Sequence, residues 1–200
     1  IPGSISLWVM NAGNRYFINN YLDLNQLGLY SIGFRVASIV TFFAFAVRMA
    51  LGPTIYDIAK KDEALEFYSK FFIFYSTFFY FLILIVSIFG REILTVLTTE
   101  QFIPGESVIF YLAVSAAAFG MAQITSIGLA ITKKTIHMSW PIMVGAVIAL
   151  ILNILLIPRF GIIGAAIATM VSLIVINIIQ YKFSQKFYPI PFQIKKFLLL

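Results

Sequence analysis

The chain has 200 residues, of which 61% are hydrophobic and only 11% are charged. Its mean hydropathy of +0.97 excludes an ordinary soluble domain, in which about half of the residues are apolar and about a quarter are charged. The sequence contains no cysteine, which excludes disulfides and thiolate metal sites in this chain. We therefore predict an all-α integral membrane protein whose side chains are largely solvated by lipid.

The net charge of +6 would also suit a nucleic-acid-binding protein. The lysines, however, stand in short connections between apolar runs, which is typical of membrane proteins. No part of the chain has the basic patch of a soluble nucleic-acid-binding domain. We therefore expect no nucleic-acid partner.

Six segments satisfy or approach the length of about 20 mostly apolar residues that a transmembrane helix needs. The predicted spans are 2–20, 27–51, 71–89, 104–132, 138–157 and 160–181. The first is the weakest, because Asn11, Asn14, Arg15 and Asn19 fall on one helical face. We predict that this helix turns a polar stripe toward the protein interior.

These spans predict how the chain is organised and how it lies in the membrane. Residues 1–184 form a six-transmembrane-helix bundle, and residues 185–200 form a cytoplasmic connection and the start of a further transmembrane helix. With six crossings, one side of the membrane carries nine lysines and the other carries only Arg91 and Arg159. The positive-inside rule then places the lysine-rich side, and both ends of this chain, in the cytoplasm.

The sequence offers no catalytic motif. It contains no serine–histidine–aspartate set, metal-ligand spacing, phosphate-binding loop or dinucleotide fingerprint. A mixed run of charges is typical of a solvated helix face, and it consists of Asp57, Asp62, Glu63 and Glu66 with Lys60, Lys61 and Lys70. We therefore predict a protein that is not an enzyme and needs no cofactor or metal.

Three arginines fall inside predicted spans, where a charge is costly unless it faces water or a partner. Arg15 and Arg35 both lie in the outer part of the membrane, about 8–12 Å from the turn between the first two spans. Two guanidinium groups there could bind a diphosphate in bidentate fashion. Alternatively, they bond to helix-end carbonyls and asparagine side chains, or extend outward to the membrane surface. Arg48 lies within a turn or two of the cytoplasmic end of its span, which favours extension to the interface.

Uncharged polar residues within the spans are Asn11, Asn14, Gln123 and Asn153. Their expected role is hydrogen bonding between helices. Asn11 and Asn14 have an alternative role, because they lie next to Arg15 and could contact sugar hydroxyls.

Three stretches of the chain resemble a known family. They are NRYFI at 14–18, LGLYSI at 27–32 and LIPRFGIIGAAIAT at 156–169. They are similar to motifs of the O-antigen and capsule repeat-unit flippases, which belong to the multidrug/oligosaccharidyl-lipid/polysaccharide exporter superfamily. One departure is Asn14, where the family often has aspartate, so Arg15 loses a possible ion-pair partner.

The resemblance implies two lobes of six helices around a central cavity, of which this chain would be the second. It implies movement of undecaprenyl-diphosphate-linked oligosaccharide across the bacterial cytoplasmic membrane for surface polysaccharide biosynthesis. Arg15, Arg35, Asn11 and Asn14 are then the expected substrate-binding residues. The expected partners are the lipid-linked oligosaccharide, membrane lipids and the missing N-terminal lobe.

Two alternatives stay open. A multidrug antiporter of the same superfamily exports organic cations, and a cavity lined by arginines without acids would repel them. A membrane-embedded polysaccharide polymerase should show a large outer loop or an acidic catalytic motif, whereas the predicted outer loops are short.

Overall fold

The computed structural model describes residues 2–59, 63–134 and 136–192. Its regular elements are α1 (Pro2–Tyr21), α2 (Leu24–Ile58), α3 (Ala64–Ile88), α4 (Gly90–Leu97), a 3-10 helix (Glu100–Val108), α5 (Ile109–Thr125), α6 (Ile127–Ile131) and α7 (Ile136–Phe187). No strand occurs within these described ranges, so the all-α prediction is confirmed.

The prediction of six separate transmembrane helices is not matched. Within the described ranges, four helical segments are long and apolar enough to cross a membrane: Leu24–Ala50, Ala64–Ile88, Glu100–Thr125 and Ile136–Phe187. Helix α1 has the necessary length at 20 residues, but its amide side chains make it too polar. The last two predicted spans lie together on α7, which accounts for the rest of the difference.

Helix α7 is a hairpin of two arms, because its 52 residues reverse direction at Gly161. Near the open end of the hairpin, the side-chain Nε2 of Gln180 donates to the carbonyl oxygen of Met138 at 3.1 Å. The His137 ring lies 5.1 Å from the ring of Phe183, centroid to centroid. Each arm has about 25 residues and a length of about 38 Å, which suffices to cross a bilayer.

The reversal is at Gly161 rather than at Pro158, where the predicted span ends. Pro158 lies within the helical stretch, although a proline removes one backbone N–H and its ring crowds the preceding turn. Gly161 has φ 59° and ψ −140°, a conformation that is open to glycine and strained for other residues.

We expect Gly161→Ala to lower the free energy of unfolding by about 1–3 kcal/mol, because alanine is strained in this conformation. Gly52→Ala is the matched control: Gly52 lies in α2, and a β-carbon there meets no atom within 4 Å. The control should be neutral or slightly stabilising. Thermal unfolding of the two variants in detergent tests this, and equal unfolding temperatures would contradict it.

The centre of the bundle is α5, which packs against α2, α3 and α7. Its buried residues are mostly small, including Ala113, Ala116 and Gly120, and this lets neighbouring backbones approach closely. The 3-10 helix before α5 also lies against α2: a β-carbon on Gly105 would be 2.7 Å from the carbonyl oxygen of Leu29. The predicted span 104–132 is therefore made of three elements, the 3-10 helix, α5 and α6.

Helix α2 begins at an N-cap residue, Asp23, whose Oδ1 accepts a hydrogen bond from the backbone N–H of Gln26 at 2.7 Å. It ends at Ile58, beyond the predicted end at residue 51. Arg48 lies two residues, about 3 Å, before the end of the membrane-spanning stretch Leu24–Ala50, as expected, and the helix continues for about 12 Å beyond that stretch. The predicted further helix falls largely on residues 193–200, which lie outside the described residues.

Candidate substrate-binding site

Asn14 is the centre of a buried hydrogen-bond network between helices. Its side chain is only 4% exposed. Its Nδ2 donates to Thr169 Oγ1 at 2.8 Å and to the Tyr30 hydroxyl at 3.2 Å. Its Oδ1 accepts from Asn153 Nδ2 at 2.7 Å. The expected hydrogen bonding of Asn14 and Asn153 between helices is therefore present.

This network joins α1, α2 and both arms of α7. Asn153 lies on the first arm of α7 and Thr169 on the second, where its Oγ1 donates to the carbonyl oxygen of Ala165 at 2.9 Å. Both amide hydrogens of Asn14 are used, so a sugar hydroxyl could reach its side chain only by sharing or replacing one of these bonds. The geometry thus gives Asn14 a structural role, and its proposed role in binding substrate stays a prediction.

Arg15 lines a narrow crevice beside this network. The crevice is lined by Asn11, Asn14, Arg15, Tyr30, Ser31 and Phe34, from α1 and α2. The Arg15 side chain is exposed, and it forms no ion pair or hydrogen bond with any other residue in the described part of the chain. Its guanidinium is therefore available to a ligand.

Asn11 lies one turn before Arg15 on α1. Its side chain is exposed, and its Nδ2 donates to the carbonyl oxygen of Leu7 in the same helix at 3.0 Å. Of the predicted polar stripe on α1, the structure buries Asn14 and leaves Asn11, Arg15 and Asn19 exposed. The physical reason is that Asn14 has three hydrogen-bond partners, whereas burying an unpaired guanidinium is costly.

Arg35 is exposed on α2 and does not line the Arg15 crevice. It lies one turn, about 6 Å, beyond Ser31, which does line the crevice. Among the described residues, its guanidinium has no ion-pair partner. The structure thus places the two predicted arginines on neighbouring helices, one in the crevice and one a turn beyond it.

A second cavity, of about 320 Å³, adjoins the crevice and shares Asn11, Asn14 and Phe34 with it. Most of its lining is apolar, with hydroxyl groups from Ser38, Thr41 and other residues of α2, α5 and α7. Within the described part of the chain, no acidic residue lines the crevice or this cavity. The local charge therefore comes from Arg15, and the site favours anions over cations.

Sequence reasoning missed Tyr30 and Thr169 as members of the network. Both lie in the stretches that resemble the flippase motifs, so the motifs were the available signal. Their contacts with Asn14 join residues 16 and 155 positions apart in the chain, a separation that helical periodicity does not predict.

The chain is similar to two archaeal membrane proteins. It is 28% identical over 216 residues to an uncharacterized membrane protein of Methanocaldococcus jannaschii, covering 98% of this chain and 41% of the relative. It is 27% identical over 187 residues to the probable low-salt glycan biosynthesis flippase Agl15 of Haloferax volcanii, covering 88% of this chain and 38% of the relative. The chain therefore spans about two fifths of the length of these curated relatives.

No family model and no solved structure matches the chain. At this low identity, the relatives support a membrane protein like the glycan flippases, and a transporter rather than an enzyme. The apolar helices and these relatives indicate a multi-pass membrane protein similar to a probable glycan biosynthesis flippase.

Proposed function

We propose that this chain forms one lobe of a flippase that moves a polyprenyl-diphosphate-linked oligosaccharide between the two leaflets of a membrane. The resemblance of its motifs implies the undecaprenyl form of the lipid. The observation that carries the proposal is the exposed Arg15, which lines a crevice with no acidic side chain, while Arg35 lies one turn beyond; neither arginine has an ion-pair partner among the described residues. The similarity to a probable glycan biosynthesis flippase supports the same class of substrate.

The charge of the site determines which substrate chemistry fits. A lipid diphosphate is an anion, and guanidinium groups bind phosphate oxygens through paired, charge-assisted hydrogen bonds. An organic cation would be repelled by the same groups, which argues against the multidrug antiporter. A polar head group crosses hydrocarbon too slowly without help, so a hydrated cationic path between two lobes supplies what the reaction needs.

A deletion strain tests the proposal at the level of the cell. Loss of the full-length protein should leave completed lipid-linked oligosaccharide on the cytoplasmic side and remove the surface glycan. The wild-type gene should restore the surface glycan and remove the accumulated lipid-linked oligosaccharide. Normal surface glycan in the deletion strain, with no second flippase gene present, would contradict the proposed function.

The proposed sidedness has its own test. A cysteine-free background can carry single substitutions at exposed connections, Thr99→Cys on the proposed outer side and Lys134→Cys on the proposed cytoplasmic side. A membrane-impermeant maleimide should label the Thr99→Cys variant in intact cells and the Lys134→Cys variant only after lysis. The reverse labelling pattern would overturn the assignment of the lysine-rich side of the protein to the cytoplasm.

A further inference from the structure

A second crevice lies toward the other end of α2, about 20 Å along the helix from Arg35. Its volume is about 170 Å³, and α2, α3, α5, α6 and the start of α7 contribute a mostly apolar wall. Four residues with side-chain donors line it, Arg48 on α2, Tyr75 on α3, Gln123 on α5 and Ser126, whose hydroxyl already donates to the carbonyl oxygen of Gln123. The helices α2, α3 and α5 therefore bring together side chains that lie far apart in the sequence.

The side chains of Arg48, Tyr75 and Gln123 have no hydrogen-bond or ion-pair partner within the described ranges 2–59, 63–134 and 136–192. Arg48 is exposed and charged. Tyr75 is only 3% exposed, and its hydroxyl lies beside Gly120 on α5. The crevice thus contains a phenol and a guanidinium without partners among the described residues, and a bound anion would satisfy both.

Among the described residues, no acidic side chain lines the crevice, and the exposed Glu66 of the neighbouring α3 is paired with Lys70 at 2.7 Å. Ala130 and Met138, on either side of the connection that carries Lys133 and Lys134, line its wall. The crevice therefore lies at the lysine-rich end of the bundle.

We infer that this crevice binds a phosphate group, with Arg48 as the charged donor and Tyr75 and Gln123 as neutral donors. The inference rests on the proposed function, because a flippase needs a position for its diphosphate at each end of the path. Arg15 and Arg35 would form the position at one end, and Arg48 the position at the lysine-rich end. A guanidinium and neutral donors that line one crevice suit the several oxygens of a phosphate group.

Binding can be measured without transport, which separates this inference from the proposed function. The probes are inorganic pyrophosphate and farnesyl diphosphate, added to purified full-length protein in detergent. The protein carries Arg15→Gln and Arg35→Gln, so that these two arginines do not contribute to the measured binding. Isothermal titration calorimetry should show that adding Arg48→Gln weakens binding at least tenfold, and that Tyr75→Phe or Gln123→Leu weakens it severalfold.

Arg91→Gln is the matched control, because Arg91 is exposed and lies outside the crevice. Gly52→Phe is a second variant that leaves the donors in place: Gly52 lines the crevice, and a β-carbon there meets no atom within 4 Å. The Gly52→Phe substitution should block binding of both probes in the crevice. Binding of farnesyl diphosphate alone would identify a lipid head group as the ligand, and binding of both probes would identify phosphate chemistry without lipid selectivity.

Unchanged affinity in the Arg48→Gln protein would overturn the inference, as would an equal loss in the Arg91→Gln control. A protein that binds the probes through Arg48 but moves no glycan would refute the proposed function and leave the phosphate site standing.

Discussion

Replacing both Arg15 and Arg35 by alanine is expected to lower transport of the lipid-linked oligosaccharide about a hundredfold. A hydrogen bond to a charged group contributes about 1.5–3 kcal/mol, so each lost arginine should weaken head-group binding at least about tenfold. The side chains are exposed, so the double variant should fold normally. The measurement is surface glycan in the deletion strain, normalised to the amount of protein in the membrane.

A double lysine variant tests whether positive charge alone supports transport, and a third arginine serves as the control. Lysine at both positions keeps the charge and loses the bidentate fork, so we expect partial activity. Arg159→Ala is the control, because Arg159 is an exposed arginine at the reversal of α7, away from the crevice. Wild-type levels of surface glycan in the double alanine variant would contradict the assignment of the two arginines.

Asn14→Leu is expected to lower the free energy of unfolding by about 2 kcal/mol. The substitution removes three hydrogen bonds and leaves the buried amide of Asn153 without its acceptor. Membrane hydrogen bonds between helices are individually modest, which limits the effect to this size. The measurement is the unfolding temperature of the purified protein in detergent.

Asn11→Leu is the matched control, because Asn11 is exposed and bonds only within its own helix. It should change stability by less than about 0.5 kcal/mol. The double variant Asn14→Leu with Asn153→Leu should recover part of the loss, since both partners of that bond are then apolar. Equal unfolding temperatures for the Asn14→Leu and Asn11→Leu proteins would show that the network does not stabilise the bundle.

Hydropathy predicted the class of the fold because it depends on composition and on runs of about 20 residues. The helical segments therefore lie where apolar runs occur. The ends of the helices were harder to predict from the sequence, since α2 continues past Pro53 to Ile58 and α7 continues past Pro158 to Gly161. A proline is not a sufficient stop signal when the following residues can still form helix, whereas a positive φ at glycine is a property of the folded backbone.

The site was predictable only in part. An arginine within an apolar span is visible in the sequence, and Arg15 does line a crevice. Helix packing decides which residues surround an arginine, and the sequence alone does not show this. Arg48 is an example, because it shares a crevice with residues of α3 and α5 that lie far from it in the sequence. Likewise, Asn14 reads in the sequence as a neighbour of Arg15, and only the contact between α1 and α7 shows its structural role.

Flipping in liposomes shows whether the protein moves a lipid-linked glycan across a bilayer with the help of Arg15 and Arg35. Full-length protein is reconstituted with a fluorescent polyprenyl-diphosphate-linked oligosaccharide, and a membrane-impermeant quencher reports the fraction in the outer leaflet. We expect fast exchange for wild type and for Arg91→Ala with Arg159→Ala, and exchange near that of empty liposomes for Arg15→Ala with Arg35→Ala. Equal exchange in all of these proteins would refute the role of the two arginines, and no exchange in wild type would refute the proposed function.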